Sequence, residues 1–315
     1  MSGAERAGSS QASEAAARRK AAFRFIGLMG LVSFFGDVTY EAVRSVSGPY
    51  LATLGGGAAV VGFVAGFGQF AGYALRLLSG WYADRTERYW ALTIVGYGTL
   101  LLLPLLAFVG SWQVAAALLI GERVGKAVRT PARDAIISHA AKDVGRGIGF
   151  GFHEFMDKVG SMVGPLLFSG LLLLRGGYRF GLSLLWIPAA CCIGVLLWSR
   201  SRLARPDRLE ADGPRLAPSD TAKLSRLFWA YAGFTFLAVA GFASFPLMAY
   251  HFKVRSLMGD AAIPLVFAIG MGIDAVAALA IGRIYDKVGL ELASLPVLVQ
   301  VLRRRHQTEW GRAGG

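Results

Sequence analysis

Eight apolar runs, each long enough to cross a bilayer, leave this 315-residue chain few ways to fold. A hydrocarbon core of about 30 Å takes about 20 mostly apolar residues per helix. Inside it, only helices and closed barrels satisfy their own backbone polar groups. The runs cover roughly residues 23–50, 58–82, 90–110, 112–132, 147–174, 180–199, 227–250 and 262–285. Gly55-Gly56-Gly57, Pro131, Gly176-Gly177 and Gly259-Asp260 punctuate them as turns. Only 17% of the residues are charged, where a soluble domain carries about 25%. The expected fold class is an all-α polytopic membrane protein.

A short motif then divides the chain. Gly80-Trp81-Tyr82-Ala83-Asp84-Arg85 returns in the same frame as Gly282-Arg283-Ile284-Tyr285-Asp286-Lys287. Each copy closes a long apolar run with Gly, three residues, Asp and a cation. A parallel repeat of two six-span halves, the organisation of many transporters, places such a motif after the second span of each half. On that pattern residues 1–22 form a polar, disordered cytoplasmic tail and residues 23–199 a complete six-helix bundle. Residues 200–226, with Pro206, Pro214 and Pro218, form a hydrophilic cytoplasmic linker. Residues 227–289 hold spans seven and eight. Residues 290–315 hold a stub of a ninth span, Leu290 to Leu302, interrupted by Glu291 and Pro296 and followed by Arg303-Arg304-Arg305. The second half is therefore expected to be cut short, by truncation, by a shift of frame, or because the sequence is a fragment.

The net charge of +13 does not call for nucleic acid. The cations gather in the connections between apolar runs, and in a membrane protein that is a topology signal. With the amino terminus inside, the cytoplasmic face holds seventeen Lys and Arg, among them Arg85, Arg88, Arg129 and Arg133. The opposite face holds only Arg175, Arg179, Lys253 and Arg255. The amino terminus is expected in the cytoplasm. Cys191 and Cys192 are adjacent in an apolar run, a poor geometry for a disulfide, and read as packing residues.

An ionisable side chain at the centre of a membrane helix costs about 2.5–3.5 kcal/mol on insertion scales, and it faces the bundle interior by default. Runs three and six hold none in their apolar stretches and are expected on the lipid side. Elsewhere the charges fall in register. Asp37, Glu41 and Arg44 share one face of the first run, with Tyr40 beside them. His153 with Asp157, and Glu154 with Lys158, form two i, i+4 pairs in the fifth. Glu122 and Lys126 form another in the fourth, with Arg123 on the adjacent face. Asp274 sits mid-way along the eighth, with no cation within one turn along its own sequence. Arg76 lies one turn before Gly80 and is expected to snorkel to the membrane edge. Gly62, Gly66, Gly68 and Gly72 are spaced for close helix packing. No catalytic or metal-binding motif accompanies them.

These residues resemble the major facilitator superfamily. Gly80, Asp84, Arg85 and Arg88 match its signature after the second span, and Gly282, Asp286 and Lys287 the weaker copy after the eighth. Gly160, Gly164 and Pro165 are similar to its antiporter signature, which departs at Phe168-Ser169. Arg123 and Gly125 resemble its fourth-span Arg signature, which departs at Lys126 and Ala127. The tract Phe34 to Glu41 is similar to the first span of prokaryotic permease and drug-transporter-like members. The resemblance implies a major-facilitator-type helical bundle whose halves rock about a central site, the two signatures acting as latches. It implies a secondary active transporter of a small organic solute, coupled to protons, multi-pass in the inner membrane of a prokaryote. The expected solute and proton pathway is Asp37, Tyr40, Glu41, Arg44, Arg123, His153, Glu154, Asp157 and Asp274. The expected partners are that solute, protons and the lipid bilayer. No cofactor, metal, nucleic acid or enzymatic role is expected. The competing reading is a truncated remnant that inserts without transporting. Oligomeric state is left open.

Overall fold

The structure, a computed structural model, describes residues 3–141, 144–175, 177–202 and 243–288, together with 229 and 233. Every regular element among them is helical. In chain order these are α1 (Gly3–Thr53), α2 (Ala58–Thr86), α3 (Tyr89–Phe108, tightened to 3₁₀ geometry at Thr99–Leu101 and Leu106–Phe108) and α4 (Trp112–Ala140). They are followed by α5 (Arg146–Arg175), α6 (Tyr178–Arg202, interrupted at Leu185), α7 (Phe245–Val254) and α8 (Ala262–Val288). Residues 1–268 form one compact unit and residues 269–315 a second. The expected linker beyond Arg202, the start of the seventh run and the ninth-span stub lie outside the described residues.

Among the described residues, five helical stretches are long and apolar enough to cross a membrane: Arg19–Thr53, Ala58–Thr86, Tyr89–Phe108, Gly147–Leu174 and Tyr178–Arg202. A shorter apolar stretch covers Ala262–Ala277. Helix α4 has the length, at 29 residues, but it carries Glu122, Arg123, Lys126, Arg129 and Arg133. It therefore depends on its neighbours to neutralise those charges.

Two boundaries differ from the sequence expectation. The disordered tail is helical from Gly3 and continuous with the first span. Ala4, Ala7, Ala12 and Ala15 to Ala17, among Glu and Arg, give this tract a high intrinsic helix propensity, and a helix already nucleated in α1 extends into it cheaply. Pro131 does not end α4, which continues to Ala140. The backbone bond lost at a proline is tolerated in a membrane helix whose neighbours can satisfy the freed carbonyl.

Helix α1 is the hub of the first unit. It packs against α5 most extensively, then α6, α7 and α4, while α2 and α3 both lie on α4. Glycine sets the close approaches. A Cβ on Gly160 would stand 2.6 Å from the Phe34 carbonyl, and one on Gly164 would run into the Val38 carbonyl. The Gly160–Pro165 signature is therefore the seam between α1 and α5. Gly96 and Gly125 do the same between α3 and α4, Gly125 facing Thr99 and Gly96 facing Arg129. Cys192 is buried and its thiol donates to the Val32 carbonyl at 3.3 Å, fixing α6 on α1.

The glycines of α2 divide. Gly68 and Gly72 face Arg123, but Gly62 and Gly66 have nothing within 4 Å of an added Cβ. The close packing expected of Gly62 and Gly66 is not found among the described residues. Helices α3 and α6 expose apolar side chains at Val95, Phe108, Ile187 and Leu197, but α2 and α5 do so equally at Phe70, Leu77, Leu173 and Leu174, so exposure alone does not single out α3 and α6.

Buried apolar side chains form two clusters. One holds Phe25, Met29, Tyr97, Leu100, Ile136, Ile137 and Leu196, and the other Tyr50, Leu51, Leu103, Leu106, Ala115, Phe168 and Leu182. Along α4 the charged residues from Glu122 to Arg133 fall between the stretches that feed the two clusters; along α1 Asp37 does the same, while Glu41 and Arg44 interleave with Tyr40, Ala42, Val43 and Val46 at the edge of one of them. The core is thus two apolar layers with a polar layer between.

Overpacking a well-filled contact costs about 1–3 kcal/mol and more where backbone blocks relaxation. Gly164→Val is expected to lower the melting temperature in detergent by several degrees or to abolish folded yield. Gly62→Ala should leave it within a degree or two, as measured by thermal denaturation of the two variants side by side.

Candidate functional site

The polar layer is assembled by α1, α2, α4 and α5. Helix α1 contributes Ser33, Asp37, Tyr40, Glu41 and Arg44, whose three- and four-residue spacing holds the last four in neighbouring positions. Helix α4 contributes Glu122, Arg123, Lys126, Arg129 and Arg133. Helix α5 contributes His153, Asp157 and Ser161.

Four ion pairs among the described residues involve α4, and none is the Glu122–Lys126 pair that its own spacing implies; Arg133 holds its neighbour Asp134 at 2.9 Å and also stands near Asp157 of α5. Glu122 was expected to pair with Lys126. Instead the Arg129 guanidinium donates to Glu122 Oε1 at 3.2 Å, with both side chains no more than 3% exposed. Arg129 also donates to the Gly96 carbonyl at 3.2 Å and stands 4.7 Å from the Tyr97 ring centre. Lys126 reaches across to α1, 3.9 Å from Asp37 Oδ1 and 3.6 Å above the Tyr40 ring. The reason is dielectric: a pair in the interior gains more from mutual attraction than one exposed on a helix face. Arg129 and Arg133 therefore belong to the interior of the unit rather than to a cytoplasmic connection. The positive-inside asymmetry survives their removal.

The remaining carboxylates are also held. Arg44 donates to both Glu41 oxygens at 3.3 Å, as the spacing allows. Ser161 donates to Asp37 Oδ2 at 3.2 Å, tying α5 to α1 beside the Gly160 contact. Asp157 lies 3.8 Å from His153 and 4.0 Å from Arg133. Its Oδ1 is buried with no hydrogen-bond partner among the described residues. Ser33 Oγ sits 3.1 Å from His153 Nε2, within hydrogen-bond distance.

Two cavities open on this layer. The larger, about 170 Å³, is walled by Tyr40, Glu41, Arg44, Gly68, Gln69, Gly72, Tyr73, Arg76, Arg123, Lys126 and Ala127. A smaller one, about 40 Å³, shares Tyr40, Arg44 and Arg123 with it and is otherwise mostly apolar. Arg123 donates to Gln69 Oε1 at 2.6 Å and lies 5.1 Å from the Tyr40 ring centre. Gly68 and Gly72 leave the room that Arg123 occupies.

Of the residues expected on the pathway, Tyr40, Glu41, Arg44 and Arg123 line the larger chamber. Asp37, His153 and Asp157 belong to the same polar layer. Glu154 is exposed. Asp274 is exposed on α8 in the second unit. Sequence reasoning missed Gln69 and Tyr73 and misplaced Arg76, which lines the chamber with its Nε buried instead of snorkelling. The signal for Arg76 was available: Gln69, Gly72, Tyr73 and Arg76 recur at three- and four-residue spacing on one face of α2.

The first signature occupies the last two turns of α2. Asp84, Arg85 and Arg88 are exposed, Arg85 lies 5.4 Å from the Trp81 ring centre, and Gly80 packs against Pro131 of α4. Glu87 ends the helix in a left-handed conformation at φ 53°. Gly282, Asp286 and Lys287 lie on the helical backbone of α8, with side chains outside the described residues.

An apolar helical bundle that holds a charged chamber is the construction of a membrane protein that carries solutes. The family profile of the Major Facilitator Superfamily matches residues 26–300, and the chain belongs to that family, whose members move small solutes across lipid membranes. An uncharacterised protein of Mycobacterium tuberculosis is 44% identical over 284 residues, covering 88% of this chain and 69% of that protein. An uncharacterised MFS-type transporter of Methanocaldococcus jannaschii is 33% identical over 171 residues, covering 54% of this chain and 42% of that protein. Among solved structures, a bacterial homologue of the human lysosomal transporter Spinster, inward-facing and unoccupied, superposes with a TM-score of 0.67 at 17% identity. That match covers 86% of this chain and 64% of the Spinster homologue. At such identity the likeness shows the fold alone.

Removing one partner of a buried ion pair costs about 3–5 kcal/mol, because the other charge is left uncompensated. Glu122→Ala is expected to reduce folded, monodisperse protein severely. Glu154→Ala, on an exposed face, should leave yield and melting temperature near those of the unaltered chain. Size-exclusion profiles of the two variants check this.

Proposed function

We propose that the protein is a secondary active transporter that moves a small organic solute by alternating access, coupled to protons. The observation that supports this most is the chamber: paired and partly paired charges sit between two apolar layers, where only a functional demand offsets their insertion cost. Solute contacts fall to Tyr40, Glu41, Arg44 and Arg123. Proton uptake falls to a carboxylate of the polar layer, Asp157 ahead of Asp37 and Glu41, with Glu154 last. Asp157 has an unfilled oxygen and an imidazole beside it, so it can exchange a proton without breaking a hydrogen bond at that oxygen. Asp274 remains a second candidate of equal rank on its mid-span position. The Gly80–Arg88 and Gly282–Lys287 signatures act as conformational latches, and the antiporter-like Gly160, Gly164 and Pro165 as the seam that holds α1 to α5.

On this reading the protein is a multi-pass inner-membrane protein of a prokaryote with eight crossings in the present sequence and its amino terminus in the cytoplasm. The Lys and Arg distribution supports the orientation. Glu87→Cys, in the turn after α2, should resist a membrane-impermeant maleimide added to intact cells, and Ser256→Cys, in the turn after α7, should react. The reverse pattern would invert the topology.

Transport itself is tested by reconstituting the purified chain into proteoliposomes and measuring counterflow of a panel of radiolabelled organic solutes. Exchange of at least one solute is expected, and exchange of none would remove the proposal. For a solute that exchanges, Asp157→Asn should abolish accumulation driven by an imposed pH gradient and spare downhill exchange. A variant that still accumulates solute in response to the gradient would exclude Asp157 as the coupling site.

A further inference from the structure

The chamber has an imbalance that the ion pairs around it do not remove. Four cations line it, Arg44, Arg76, Arg123 and Lys126, against a single carboxylate, Glu41. Glu41 is taken by Arg44, and Lys126 is turned toward Asp37. That leaves Arg123 and Arg76 without a carboxylate among the described residues. Arg123 has only the neutral amide of Gln69 and the face of Tyr40. Arg76 has only the face of Tyr73, 5.1 Å from its centre, and its Nε is buried without a hydrogen bond. The Arg44 Nε is likewise buried and unfilled.

We infer that the chamber takes an anionic solute, a carboxylate, phosphate or sulfonate received between Arg123 and Arg76. A guanidinium presents its donors as a planar fork that matches two oxygens of such a group. Two forks flank the chamber, and Tyr40 and Tyr73 hold them by their ring faces while leaving the N–H edges available. An anion would supply the charge that the protein leaves out. A cationic solute would meet four like charges and a carboxylate already engaged. A neutral solute would leave both guanidiniums uncompensated in a low-dielectric site, at a cost that grows with exclusion of water. Gly68 and Gly72, which would otherwise carry side chains toward Arg123, keep the chamber open at that wall. This inference rests on the chamber being the solute path proposed above, and it names the class of solute.

The test uses the chain in nanodiscs of zwitterionic phosphatidylcholine, so that no net anionic lipid competes. Affinity is measured by titration calorimetry for four small probes: inorganic phosphate, succinate, tetramethylammonium and glycerol. At least one of the two anions should bind, and tetramethylammonium and glycerol should not. Phosphate alone would point to a phosphorylated solute, and succinate to a carboxylate. Arg123→Gln and Arg76→Gln should each weaken anion binding about tenfold or more, the size expected for losing one charge-assisted contact. Arg123→Lys, which keeps the charge and loses the fork, should fall between. Apo melting temperatures of the three variants separate a lost site from a lost fold. Failure of both anions to bind, binding of tetramethylammonium as tightly as either, or full affinity in both Gln variants would overturn the inference. The transport reading is judged separately. Anion binding without counterflow would remove transport and keep the site. Counterflow of a cation, with neither anion bound, would keep transport and remove the anion.

Discussion

The pairing of α4 with its neighbours is the constraint on which the rest of this bundle depends. That helix carries a carboxylate and four cations between Glu122 and Arg133, too many to lie in lipid at about 2.5–3.5 kcal/mol each. It becomes a member of the bundle only because α1 supplies Asp37 and Tyr40, α3 supplies the Gly96 carbonyl and the Tyr97 ring, and α5 supplies Asp157. Each of those partners must arrive within about 3–4 Å, so the helices cannot slide. The glycine contacts are what bring them there. Gly96 and Gly125 let α3 and α4 approach until Arg129 reaches a backbone carbonyl, and Gly160 lets α5 approach α1 until Ser161 reaches Asp37. Close packing and charge neutralisation are one arrangement seen from two sides.

Much of this was legible in the sequence, and what was not failed for one reason. Apolar run length gave the helices to within a few residues for five of the eight, since hydrocarbon thickness fixes span length directly. The i, i+4 rule brought Tyr40, Glu41 and Arg44 together correctly and found His153 beside Asp157. It failed for Glu122 and Lys126, because Lys126 finds its partner on α1 and Glu122 finds its own two turns along α4, neither of which a one-turn rule can see. A buried carboxylate follows the best-desolvated, best-oriented cation, and in α4 that was Arg129, two turns away. Arg76 failed in the same way: its position along α2 said membrane edge, while its face said chamber. The polar tract that opens α1 has the low hydrophobicity of a disordered tail, yet its alanines favour the helix that is observed.

The two classes of glycine also separate structure from function. Gly160, Gly164, Gly96 and Gly125 are each blocked by a neighbouring backbone or side chain, so their lack of a side chain is demanded by the seams of this unit. Gly68 is demanded by Arg123, whose Cγ would lie 3.3 Å from an added Cβ, while Gly72 sits at ordinary contact distance from the Arg123 carbonyl. Gly62 and Gly66 are demanded by nothing among the described residues, on a helix whose Phe63, Phe67 and Phe70 are exposed. Identical spacing in sequence therefore carries three different meanings, and only the partner across the gap tells them apart.

The same comparison applies to the charges. Glu122 and Arg129 neutralise each other between the two apolar layers and, at no more than 3% exposure, contribute to the fold rather than to any exchange with solvent. Arg123 stands one residue from Glu122 on the same helix, yet it turns to an open chamber and to a neutral amide. A cation that could have been paired cheaply, by an acid in place of Gln69, is instead held by a group that orients it without cancelling its charge. An amide in that position keeps a guanidinium fixed and still positive. For a site that must bind a charged solute in one conformation and release it in another, that arrangement serves where a full ion pair would not: the compensating charge is left for the ligand to bring.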